Sequence, residues 1–244
     1  MRYMGSKARH AKHIVPILIK GHDQSKPYVE PFLGGGNMMS NVPANIRVGG
    51  DVAQYAVALL RAVAGGWVPP SDISEQLYND VRQDRENYPP ELVGFIGYCC
   101  SYSGKFFGGY CRGKNSKGEA RNFSEEQVRH LIKQAEGLRE VQFYVGSYDE
   151  IDYVPGSTVY MDPPYAETTG YATGGFDHIA FWRFCESLSA TCRVFVSEYT
   201  APPNWTSVWE KSVTSSLDKD TGSKRATEKL FIIKQLITLP PGVG

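Results

Sequence analysis

Tyr28-Val29-Glu30-Pro31-Phe32-Leu33-Gly34-Gly35-Gly36, followed by Ile46-Arg47-Val48-Gly49-Gly50-Asp51, decides the fold. Residues 28–32 read as a short buried strand that runs straight into glycines, and residues 37–41 predict the start of a helix. Residues 46–48 read as a second strand closing at Gly49-Gly50-Asp51, with an alanine-rich helix over 52–64 after it. Strand, glycine turn, helix and strand make the opening unit of an α/β sheet. Glycines at the first turn permit positive φ and let a ligand approach the backbone. An acid ending the next strand is placed to accept hydrogen bonds from ribose hydroxyls. Neither the full G-x-G-x-x-G spacing nor the Gly-Lys-Ser/Thr of a phosphate loop is present, which favours a ribose-bearing ligand without phosphates, S-adenosylmethionine, over a dinucleotide. Asp51 taken alone also reads as an ordinary Gly-Gly-Asp turn.

Outward from that unit, residues 7–19 carry Ile14, Ile17 and Leu18 at helical spacing, with Ser6 as a candidate N-cap. Residues 67–98 read as helical with a break at Tyr88-Pro89-Pro90, and residues 101–122 are rich in Gly, Lys, Tyr and Phe. Ser124-Glu125-Glu126-Gln127 has the form of a capping box opening a helix to about residue 135. The α/β pattern resumes with strands at 141–145 and 157–161, a helix at 178–189, and strands at 193–197 and 229–233. A mainly parallel sheet follows, with residues 1–66 and 139–244 forming the sheet domain and 67–138 an inserted lobe. Ligands of such sheets sit at the carboxyl ends of the strands, where Asp51 and Asp162 both fall.

The 244 residues suit one large domain or a core with a modest insertion. Apolar residues make up 41%, charged residues 21%, and mean hydropathy is −0.34, a globular composition without an apolar run long enough to span a membrane. No secretory leader is recognisable at the amino terminus, so cytoplasmic residence is expected. Five cysteines without a C-x-x-C pair read as buried thiols rather than a disulfide framework or zinc site. His130 and His178 lack the spacing of metal ligands, and no metal is expected. The 26 basic and 26 acidic residues cancel, but they are segregated. Arg2, Lys7, Arg9, Lys12 and Lys20 open the chain with no acid among them, and Lys105, Arg112, Lys114, Lys117 and Arg121 are opposed only by Glu119. Such polarity suits one face turned toward phosphates, although a solvated charge run reads the same way.

Asp162-Pro163-Pro164-Tyr165 carries the chemistry. The lone pair of an adenine N6 amine is delocalised into the ring, and the nitrogen attacks a methyl sulfonium poorly until acceptors hold its N–H bonds. Asp162 can supply one acceptor and the Pro163 carbonyl another, while the prolines fix φ and aim that carbonyl. Tyr165 offers a ring on which a base can stack. The competing reading is a Pro-Pro turn after a strand. In Arg2-Tyr3-Met4-Gly5-Ser6-Lys7, Lys7 can pair with the carboxylate of the cofactor and Tyr3 can pack beside it, or Lys7 is a surface lysine at a helix start. A cation in a helix's first turn is mildly unfavourable unless an anion is near.

These three motifs, in this order and with a variable lobe before the last, resemble the Dam-like (D12 class) DNA adenine-N6 methyltransferases. Phe143-Tyr144-Val145-Gly146-Ser147-Tyr148, residues 194–199 and Arg225-Ala226-Thr227-Glu228-Lys229-Leu230-Phe231 extend the resemblance over most of the chain. It implies a Rossmann-like S-adenosylmethionine-dependent methyltransferase sheet with an inserted, mainly helical DNA-recognition lobe. It places Tyr3, Gly5, Ser6, Lys7, Phe32, Gly34, Gly36, Asp51, Ser147, Tyr148 and Asp162 at the cofactor, and Asp162, Pro163, Pro164 and Tyr165 at the target amine. Ser6 stands where many members have glycine, and Met4 is not a typical neighbour. For duplex DNA, the candidates are Lys105, Tyr110, Arg112, Lys114, Lys117 and Arg121, with Arg112 favoured to read a guanine. Phe106, Phe107 and Tyr110 read equally as the small core of the lobe. The implied activity is methylation of a flipped adenine, as an orphan or restriction-modification enzyme acting as monomer or weak dimer. A cytosine-N4 enzyme and an inactive DNA-binding regulator of the same fold are the alternatives.

Overall fold

The computed structural model of the chain describes residues 1–114, 116–165, 175–215 and 224–234. Among these residues seven strands form one sheet: β1 (Tyr28–Glu30), β2 (Arg47–Asp51), β3 (Gln142–Val145), β4 (Thr158–Met161), β5 (Arg193–Glu198), β6 (Trp205–Ser215) and β7 (Lys224–Ile233). Their order is β3-β2-β1-β4-β5-β7-β6. The first five strands are parallel to one another, and β7 runs antiparallel to both β5 and β6. From β1 the chain winds outward to β2 and β3, then returns to place β4 on the other side of β1. That reversal opens a crevice beyond the carboxyl ends of β1 and β4. Residues 31–36 and 162–165 therefore emerge side by side.

The central parallel strands are covered on both faces. Every residue of β4 is buried, as a parallel strand packed on both faces requires. Side chains alternate between two cores: Val159 and Met161 join Val29, Val194, Val196, Phe181 and Trp205 on one face, whereas Tyr160 and Phe195 join Ile14, Leu18, Leu59 and Leu60 on the other. The helices are α1 (Ala11–Ile19), α2 (Gln54–Ala64), α3 (Glu75–Gln83), α4 (Pro90–Gly94), α5 (Phe123–Leu138) and α6 (His178–Leu188). Phe95–Cys99 continues α4 as a π-helical turn. Ile73, Tyr78, Val81, Phe95 and Leu131, from the stretch expected to form a lobe, belong to the same core as α1 and α2, so residues 67–138 pack onto the sheet rather than swing free of it.

Several boundaries differ from those the sequence predicts. The first helix starts at Ala11 rather than residue 7, because Ser6 does not cap it. The Ser6 hydroxyl instead accepts from the Ala8 N–H (3.2 Å) and from Asn37 Nδ2 (2.8 Å). The helix expected at 37–41 is a single 3-10 turn, Met39–Asn41. The cap of α5 is Asn122, whose Oδ1 accepts from the Glu125 N–H at 3.0 Å, while the Ser124 hydroxyl donates to the Ser71 carbonyl. Residues 67–98 are not one broken helix but α3, a 3-10 turn, α4 and the π turn. Strand β6 is not anticipated at all, and the strand expected at 229–233 is the end of a longer antiparallel β7. The side chains of Arg225 and Ala226 lie outside the described residues. All five cysteines are free, four buried and Cys111 half-buried against Arg2 Nη1 at 3.2 Å. No helix among the described residues is long and apolar enough to cross a membrane.

Candidate active site

Asp51, the last residue of β2, fastens the glycine loop. Its Oδ2 accepts from the Gly34 N–H (2.8 Å) and its Oδ1 from the Ala53 N–H at the start of α2 (2.9 Å). Burial raises the carboxyl's proton affinity, and those N–H groups pull it back. Gly34 and Gly36 adopt φ of 48° and 64°, and a Cβ on Gly34 would stand 3.0 Å from the Tyr3 ring. Only glycine fits that approach comfortably. Asn37 completes the assembly by donating to the Met1 carbonyl (2.9 Å) and to Ser6, which binds residues 1–7 over the loop.

That same segment delivers Lys7, 7% exposed, to the mouth of β4. Lys7 Nζ lies 3.2 Å from Asp162 Oδ1 and 4.4 Å from the centre of the Tyr165 ring, and it donates to the Gly5 carbonyl at 3.4 Å. The sequence led us to expect Lys7 beside a cofactor carboxylate; the structure pairs it with Asp162. Burial pushes the Asp162 carboxyl up, and the Lys7 ammonium opposes that shift. Pro163 is buried and Pro164 half-buried. Tyr165 is not the open platform its motif suggests: Lys7 covers its face, and Tyr199 meets it edge-on at 4.7 Å.

On the other side of the loop, Phe32 stacks on Tyr148 (5.3 Å, 26°) and meets Phe181 edge-on. Ser147 opens the 3-10 turn carrying Tyr148, with a capping box to Glu150. Tyr3, Gly5, Ser6, Lys7, Phe32, Gly34, Gly36, Asp51, Ser147, Tyr148 and Asp162 thus come from five separate segments to one end of the sheet.

Sequence reasoning missed the carboxylates around Asp162. Glu30 is 2% exposed, accepts from the Tyr28 hydroxyl at 2.7 Å, and is pushed up to about 8 by burial. Glu198 is buried at the end of β5, and Glu228 on β7 lies 3.3 Å from His10 Nε2. The strand-end logic that singled out Asp51 and Asp162 applies equally to Glu30 and Glu198; no such signal marks Glu228.

The lobe candidates divide. Lys105, Lys114 and Lys117 are exposed. Arg112 makes a paired contact with Glu75, Nε lying 3.1 Å from Oε2, and Arg121 does so with Glu126 at 2.9 and 2.6 Å. Tyr110 faces inward: its hydroxyl donates to the Ile73 carbonyl at 2.6 Å and its ring meets Tyr78. Phe106 and Phe107 join the same aromatic core.

The strand order, the glycine loop, the acid ending β2 and the Asp-Pro-Pro-Tyr turn ending β4 define a Rossmann-like S-adenosylmethionine-dependent methyltransferase fold. The family model for D12 class N6 adenine-specific DNA methyltransferase matches residues 3–97 and 91–205, and the chain belongs to that family. It is 26% identical over 209 residues to the type II methyltransferase M.FokI of Planomicrobium okeanokoites, an alignment covering 77% of this chain and 32% of that protein. The chain thus spans about a third of that relative's length. SMU.472, a candidate methyltransferase solved with SAH, is 13% identical, with a TM-score of 0.29 over 92% of this chain and 52% of that one.

The residues present fit the family's adenosine-bearing donor. The Tyr144 hydroxyl, near Asp51, is buried without a hydrogen-bond partner among the described residues. A ligand hydroxyl would satisfy it. Among the described residues no group of three or more His, Cys, Asp or Glu side chains could hold a metal ion.

Proposed function

We propose that this chain transfers a methyl group from S-adenosylmethionine to N6 of an adenine flipped out of duplex DNA. The observation that carries the reading is Asp162 at the switch point, ending β4, with Lys7 Nζ 3.2 Å away. Burial raises the Asp162 carboxyl and the Lys7 ammonium opposes that rise, favouring the ionised form that accepts from the amine. The Pro163 carbonyl is the second acceptor, held by a buried proline ring. Two acceptors on the amine draw the nitrogen toward pyramidal geometry and free its lone pair. S-adenosylmethionine, when bound, supplies a methyl group on a cationic sulfonium. Asp162, with Glu198 and Glu228 near it, brings carboxyl groups to this end of the sheet, which suits a cationic donor. Positioning then supplies most of the acceleration.

In this reading residues 1–66 and 139–244 form the catalytic domain and residues 67–138 the target-recognition lobe. Lys105, Lys114 and Lys117 meet phosphates, and Arg112 exchanges Glu75 for a guanine edge. Tyr110 supports the hairpin from within. The test is methylation of a mixed-sequence plasmid with labelled donor, with modified bases mapped afterwards. Wild type is expected to mark adenine N6 within one sequence context, and Asp162→Ala to lose at least about 100-fold in rate while still folding. Label on cytosine N4, or equal rates in the variant, would overturn the reading.

A further inference from the structure

Tyr98 sits in the π-helical turn of the lobe, 7% exposed, far along the chain from the three motifs that build the donor site. Its ring nevertheless packs against Tyr3 with centroids 5.1 Å apart. Tyr3 in turn covers Gly34, whose N–H holds Asp51. Burial, and after it the charge of Asp51, pushes the Tyr98 phenol up, which puts the hydroxyl in reach of that carboxylate's field. No hydrogen bond to the Tyr98 hydroxyl exists among the described residues, whereas the other lobe tyrosines in this aromatic core have theirs: Tyr78 with Ser101 at 2.9 Å, and Tyr110 with Ile73. The backbone here is also unusual, since π turns are rare and concentrate at functional sites. Gly104 locks the arrangement: a Cβ there would meet the Tyr3 backbone at 2.7 Å, and its carbonyl accepts from the Met4 N–H at 3.2 Å.

We infer that Tyr98 is a donor-binding residue supplied by the lobe, its hydroxyl reaching the ribose hydroxyls of an adenosine-bearing ligand held by Asp51, and its ring supporting Tyr3 against the glycine loop. The inference rests on the reading of Asp51 as the ribose acceptor. The lobe then serves both substrates, lining the donor pocket with one turn and meeting DNA with the hairpin that follows.

Calorimetric titration of S-adenosylmethionine and S-adenosylhomocysteine into wild type, Tyr98→Phe, Tyr98→Leu and Tyr78→Phe decides it. Tyr98→Phe keeps the ring and is expected to bind both ligands about 3- to 10-fold more weakly, the loss of one hydrogen bond. Tyr98→Leu should weaken binding further. Tyr78→Phe removes the Ser101 bond elsewhere in the same core and should bind as wild type. Tyr98→Phe binding equal to that of wild type overturns the inference alone. Equal weakening in Tyr78→Phe also overturns it, because loosened packing would then explain the loss. A wild type that binds neither ligand overturns the reading of Asp51 and the inference with it.

Discussion

Lys7 shows how one side chain sets the ionisation of another. A carboxylate taken out of water prefers to be protonated, and burial raises Asp162 for that reason, while the ammonium at 3.2 Å is the chief group opposing the rise. Activity that depends on an ionised acceptor should therefore fall as pH drops through the Asp162 pKa. Lys7→Met removes the opposing charge, and the acid limb of kcat/KM against pH is expected to move up by about 1 to 3 pH units. The variant should regain part of its activity in alkaline buffer. A loss of the same size at every pH would show that Lys7 serves something other than Asp162. Lys7 alone reads as a surface lysine, and Asn37, the glycine loop and Gly104, by holding residues 1–7 in place, convert it into the partner of a strand-end acid.

Among the elements, α5 tests how far local chemistry can be trusted. Ser124-Glu125-Glu126-Gln127 has the letters of a capping box, but Asn122 reaches the free N–H of Glu125 first and leaves Ser124 to bridge to Ser71. Asn122→Ala should lower stability by about 1 kcal/mol, read from the urea midpoint of unfolding. No change would return the cap to Ser124. The glycine loop, β1, β2, β4 and α2 were legible because each combines a plain hydrophobic run with a turn residue or helical spacing. Strand β6 was not, and its register explains why. Ser207 pairs with Phe231 and Trp209 with Leu230, so a bulge at Val208 breaks the alternation on which strand reading depends. The helix expected at 37–41 failed for the opposite reason: Asn37 is spent on Met1 and Ser6, and the turn closes after Asn41.

Over the whole molecule, strand order creates what no linear stretch contains. Strands β1, β4, β5 and β7 are neighbours in the sheet, and each brings one acid, Glu30, Asp162, Glu198 and Glu228, toward the same end. The candidate catalytic acid was legible from its motif, whereas the row it belongs to appears only after folding. Such a row is stable only if its members do not all ionise together. Glu30 is the one relieved: burial first, and the charge of Asp162 with it, hold its carboxyl up to about 8, while the Tyr28 hydroxyl hydrogen-bonds to it. A carboxyl whose folded pKa lies above its unfolded value supports the fold fully below the unfolded pKa, and loses that contribution as pH rises through the folded one. For Glu30 the window runs from near 4.5 to about 8. Glu30→Gln keeps the shape and an oxygen for Tyr28 but cannot ionise. Near pH 4.5 it should melt close to wild type; at pH 9 it should be more stable on the order of 4 kcal/mol, a rise in Tm of roughly 10 °C. Thermal unfolding of both proteins across that range provides the measurement. Parallel curves for the two proteins would mean that Glu30 is already charged in the folded chain, and that the row of acids is balanced by Lys7 rather than by a held proton.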